Sequence, residues 1–138
     1  MPDKFIFLPV LVQIVLTAFL YMVLIKRKKA AVAAGQVNEE RRALHSDAWP
    51  DTVIQVNNAI QNQFEIPLLF YVLCFVLFNL AAVDMMALIV AWSFTISRIV
   101  HAYIHIEENY VPKRRAAFTV GCLAVFALTA LAFKALLL

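Results

Sequence analysis

The chain has 138 residues, 64% of them hydrophobic, 15% charged and only two of them Gly. That is too apolar for a soluble domain of this length and points to a protein of the lipid bilayer. The formal net charge of +3 sits in a few short stretches, and without a nucleic-acid module beside it this excess gives no reason to expect DNA or RNA as a partner.

Four apolar segments are long enough to cross a membrane: Phe5 to Ile25, Phe64 to Val83, Met85 to Ile106 and Ala116 to Leu137. They predict one domain over residues 1–138, with helices at about 5–29, 50–79, 83–108 and 113–137. The first segment has only Lys4 as a basic residue before it, lacks a small-residue cleavage pattern and ends in KRKK, so it reads as a retained helix and not a signal peptide. Residues 30–49 form the one long loop. Ser46 and Asp47 are cap-type residues, Trp49 suits a membrane interface, and Pro50 fits a first helical turn.

The second helix then starts well before its apolar run. Asp51, Gln55, Asn58, Asn62 and Glu65 are spaced four, three, four and three apart, which places them on one helical face. Pro67 removes a backbone donor and predicts a kink there, leaving a carbonyl near Gln63 for a neighbour. The turn NLAAVD at 79–84 carries no Lys or Arg. In the third helix Arg98, His101, His105 and Glu108 again share a face. Lys113, Arg114 and Arg115 lie between the third and fourth apolar segments. The two loops rich in Lys and Arg share a side in an up-down-up-down topology, and the positive-inside rule makes that side cytoplasmic, with both termini outside. Cys74 and Cys122 lie within apolar runs and read as small hydrophobes.

Glu65 lies 14 residues before Asn79 and Arg98 lies 14 after Asp84, so both stand roughly 21 Å from the outer turn at about 1.5 Å per residue. Opposite charges at equal depth are expected to pair, because neither stays ionised alone in a low dielectric. A Glu65 to Arg98 contact is therefore predicted, with His101, His105 and Arg114 lining the same hollow. Such a mouth suits an anion bearing one amino group. The plainer reading of the amides is interhelical glue. His101 and His105 at i and i+4 could share a metal with Glu108, but no HExxH pattern accompanies them and no metal is expected. There is no GxSxG, CxxC or P-loop to support acyl transfer, dithiol chemistry or nucleotide hydrolysis.

Asn62, Glu65 and Pro67 in NQFEIP, then Arg98 and His101, then Pro112 and Arg114 together resemble the membrane-associated proteins in eicosanoid and glutathione metabolism, the MAPEG family, in a divergent, bacterial-type form. The resemblance covers most of the chain. It implies an all-α integral membrane four-helix bundle, assembled as a homotrimer, with glutathione as co-substrate in sites between subunits and a hydrophobic substrate arriving from the bilayer. It carries glutathione contacts onto Asn58, Asn62, Glu65, Arg98 and His101, and catalytic roles onto Arg114 and His105. Three positions depart from the family pattern: Asn58 stands where glutathione-using members have a carboxylate-binding Arg, His105 where relatives often have Tyr, and Pro67 is displaced by one residue from the usual spacing in some relatives. A charged hydrogen bond contributes roughly 1.5–3 kcal/mol, so its loss at 58 weakens an anion by one to two orders of magnitude unless Arg41, Arg42, Lys113 or Arg115 substitutes. Two functions follow: a glutathione transferase or peroxidase for hydrophobic substrates in the inner membrane, or a non-enzymatic bundle that binds lipid or protein with a degenerate glutathione site. A conductance or transport role lacks a charge ring or a pair of broken helices.

Overall fold

Length and apolarity dictate the architecture, because a backbone crossing hydrocarbon must satisfy its own hydrogen bonds. The computed structural model describes residues 3–138. Among the described residues it holds a short 3₁₀ turn, Asp3–Ile6, followed by α1 (Phe7–Ala33), α2 (Asp51–Gln63), α3 (Ile66–Asn79), α4 (Met85–Ile106) and α5 (Val111–Leu137). These make four candidate spans, Asp3–Ala33, Asp51–Asn79, Met85–Ile106 and Val111–Leu137, with α2 and α3 as two parts of one broken span.

α1 runs past its basic tetrad, beyond the end at about 29 read from the sequence, because Ala30 to Ala33 favour helix. It stops at Gly35, where φ is +67°. The Gly35 and Gln36 N–H groups return to the carbonyls of Val32 and Ala31 at 3.1 and 3.0 Å, a Schellman ending that needs a left-handed residue. Pro50 is the cap residue of α2, one position before the first turn instead of within it. Ser46 and Asp47 belong to a short 3₁₀ turn, Ser46–Ala48, and do not cap α2. Asp47 accepts from Arg41 at 3.0 and 3.1 Å.

α2 packs through Val53, Val56, Ala59 and Ile60, all buried. Its helix ends at Gln63, Phe64 N–H turns back to the Gln61 carbonyl, and Glu65 takes φ −99° and ψ −102°. Pro67 then falls in the first turn of α3, where its missing N–H costs nothing. The break therefore lies just ahead of the proline.

Buried apolar residues form two clusters. One joins Ile6, Val10, Phe70, Cys74, Ala87, Phe94 and Leu128 among others, near the Leu80–Asp84 turn. The other joins Leu20, Leu24, Val53, Val56, Ile60, Ala102 and Ile106, toward the long loop. On the two helices contributing to both, buried polar residues fall between them, Gln13 on α1 and Thr95, Ser97, Arg98 and His101 on α4, and Gln63 joins them where α2 gives way to α3. A polar layer thus crosses the bundle between two apolar cores. α4 is central and lies against α1, α2 and α5. The outward faces of α1, α3 and α5, including Leu11, Val15, Met22, Val72, Phe75, Leu123 and Phe126, are exposed, as expected of surfaces meeting acyl chains.

Candidate functional site

The site grows out of the close approach of α4 and α5. Gly121 makes it possible: a β-carbon there would stand 3.2 Å from Ser97 Oγ and 3.5 Å from Arg98 Cδ. Arg98 is therefore enclosed completely, at 0% exposure, and is the largest fully buried side chain. Its Nη2 donates to the Asn62 carbonyl at 3.3 Å, an acceptor left free by the ending of α2. The guanidinium also lies over the Phe118 ring at 5.7 Å, a favourable cation–π placement.

Toward the long loop from this point, a cavity of about 250 Å³ is lined by Asn62, His101, His105, Val111, Arg114, Arg115 and Phe118. His101 and His105 follow Arg98 along the same buried face, 3% and 4% exposed. Their rings meet edge to face at 5.6 Å, and His101 lies 5.9 Å from Phe118. Arg114 is steadied from the α4–α5 connection, where its Nη1 donates to Asn109 Oδ1. Asn109 itself has φ +50°, a left-handed conformation that Asn tolerates better than most side chains.

Two nitrogens of lining residues, His101 Nδ1 and His105 Nδ1, have no partner, and neither do Nε and Nη1 of Arg98, which does not line the cavity but lies against its lining residues Asn62 and Phe118. No carboxylate lines it. Buried polar groups are normally satisfied, and a cluster of unfilled donors and imidazole nitrogens fits a polar, anionic guest.

The residues named from sequence divide into two groups. Asn62, Arg98, His101, His105 and Arg114 come together here. Asn58 and Glu65 do not, and the predicted Glu65 to Arg98 ion pair is absent: Glu65 is exposed while Arg98 is enclosed. Helical spacing had assumed one continuous helix through residue 65. In the structure the apolar face of α2 turns inward, leaving Asp51 and Asn58 exposed, and the break after Gln63 removes Glu65 from the helical register. Asn58 takes part only through its carbonyl, which accepts from Asn62 Nδ2 at 3.0 Å. Gln55 donates to the Glu107 carbonyl at 3.1 Å. Glu108 points away to Lys113, 3.1 Å distant.

Of the four cations that could replace an Arg at 58, Arg115 lines the cavity. Arg41 is engaged by Asp47, Arg42 by Glu39 and Lys113 by Glu108. Phe118 was passed over in the sequence, although it stands one turn beyond Arg114. Gly121 was also passed over, although it is the one Gly within a helix.

A family model described as the MAPEG family matches residues 5–134. Neither a curated protein nor a solved structure matches the chain.

Proposed function

The chain belongs to the MAPEG family, and from that premise we propose that its cavity takes glutathione as co-substrate and delivers the thiolate to a hydrophobic electrophile, as a transferase or a peroxidase. The observation that carries this reading is the pair of unpartnered His101 and His105 nitrogens on a cavity free of carboxylates, with the enclosed Arg98 guanidinium against the lining residues Asn62 and Phe118. Asn62 and His101 hold the peptide, Arg98 fixes the Asn62 carbonyl and adds positive potential next to the lining, and Arg115 supplies the cation that Asn58 does not. Arg114, held by Asn109, stabilises the thiolate, since a guanidinium favours the charged form of a neighbouring acid. His105 moves the proton that accompanies thiol attack. The chain is an integral, multi-pass membrane protein, and the concentration of Lys and Arg at the cavity end makes that end cytoplasmic.

Glu65 and Asn58 act in this scheme across a subunit boundary. Both are exposed on the single chain, and Phe64 and Leu68 beside them are 59% and 55% exposed. A polar stripe edged with apolar side chains suits another copy, and the assembly proposed is a homotrimer. The same exposure favours a second reading, in which these side chains serve only as glue in a non-catalytic lipid- or protein-binding bundle.

Melting the detergent-solubilised protein with and without millimolar glutathione separates the two. The enzyme reading expects a rise in Tm and turnover of a generic lipophilic electrophile, both abolished in Arg114→Ala. No shift at any concentration, with no turnover, favours the binding bundle.

A further inference from the structure

Gln13 is an amide in the middle of the apolar run of α1, and it is 0% exposed. Its Nε2 donates to Gln63 Oε1 at 2.6 Å. Gln63, 1% exposed, is the last helical residue of α2. Immediately beyond it the backbone loses its own restraint, because Glu65 leaves helical geometry and Pro67 cannot donate. Immediately before it stands Asn62, whose carbonyl takes Arg98 and whose side chain lines the cavity.

We propose that Gln13 is a positioning residue for this site: by gripping Gln63 across the bundle it fixes the final turn of α2, and with it the Asn62 carbonyl that orients Arg98. The placement of the pair in the same polar layer as Arg98 supports this, since that layer is the only level at which α1 and the end of α2 share buried polar atoms. The pair is poorly built for holding the bundle together. Gln13 Oε1 and Gln63 Nε2 lack partners, and replacing both members of a buried hydrogen-bonded pair with apolar groups of similar shape is close to neutral for stability. What such a pair adds over two leucines is direction. The inference rests on the glutathione reading for its consequence at the cavity, and on the break in the second span for its structural content.

The test uses the full chain in detergent, as Gln13→Leu, Gln63→Leu and the double variant. Three quantities are read: Tm without ligand, backbone hydrogen exchange over residues 61–68, and half-saturating glutathione from the Tm shift. The double variant is expected to melt close to wild type, yet to exchange faster at 61–66 and to need about tenfold more glutathione, the scale of effect expected when a binding group is displaced. Gln13→Glu keeps the shape, and in that buried position its protonated carboxyl still donates to Gln63 Oε1. It is expected to bind within about twofold of wild type, and it decides the matter if the leucine variants do not fold. A double variant with wild-type exchange and wild-type affinity overturns the proposal, as does a folded Gln13→Glu that has lost binding. Should wild type itself not bind glutathione, the cavity reading fails separately, and exchange over 61–66 alone supports or overturns the role of Gln13.

Discussion

Arg98 has a formal charge, no exposure and one hydrogen-bonded acceptor. A side chain in that condition stays only where neighbours leave it room and a counter-group arrives. Gly121 supplies the room. Gly121→Val forces its new methyl groups against Ser97, which already donates to the Phe94 carbonyl at 2.6 Å. Overpacking of this kind costs about 1–3 kcal/mol, so the variant is expected to lower Tm by several degrees and to weaken glutathione binding, both readable in one ligand-dependent melting series. The residue types at the site were largely legible. Arg98, His101 and His105 recur at three and four residues, which on an unbroken helix guarantees a shared face, and α4 is unbroken from Met85 to Ile106. The Glu65 to Arg98 pair does not form because the same arithmetic was carried through a point where the helix stops. Gln13 and Gly121 were missed because a lone amide and a lone Gly form no pattern; their meaning appears only when another helix is laid against them.

The broken second span is the element on which the cavity depends. If α2 continued without interruption, the Ile66 N–H would take the Asn62 carbonyl four residues back, and Arg98 would lose its acceptor. Pro67→Ala restores a donor and removes the proline's bias against a continuous helix. The expected outcome is a span of equal or greater thermal stability with reduced glutathione affinity, measured by the same melts and by circular dichroism for helix content. A variant that gains helix and keeps full affinity would show that the break is incidental to binding. The existence and order of the four spans followed directly from apolar run length. Their ends were less legible: α1 overran its basic tetrad because alanines continue a helix, and Gly35 marked the true stop. The kink was foreseen from Pro67, but the backbone gives way ahead of it, at Phe64 and Glu65.

Across the whole molecule, the end bearing the long loop is tied together by Arg27. Its Nη1 donates to the Thr52 carbonyl at 3.0 Å and its Nη2 to the Ile106 carbonyl at 2.7 Å, joining α1 to the start of α2 and the end of α4. The 3.6 Å approach to the exposed Glu107 adds little. Arg27→Met keeps the aliphatic stem and removes both carbonyl bonds, with an expected loss of about 2 kcal/mol, seen as a lower Tm with and without ligand. From sequence, Arg27 was one of four adjacent cations with nothing to distinguish it; the fold selects it by the direction of a single helical face. Toward the other end Asp84 secures a single helix, its carboxylate capping α4 by accepting from the Ala87 N–H at 2.8 Å.

The stratum of amides, hydroxyls and cations lying between the two hydrocarbon blocks makes the protein mechanically uneven. Warming or harsh detergent should part it along that seam first, so that the guest's niche is lost while the block beside the short Leu80–Asp84 turn still holds its helices. Ligand protection would then register as a delay in the earlier of two melting steps.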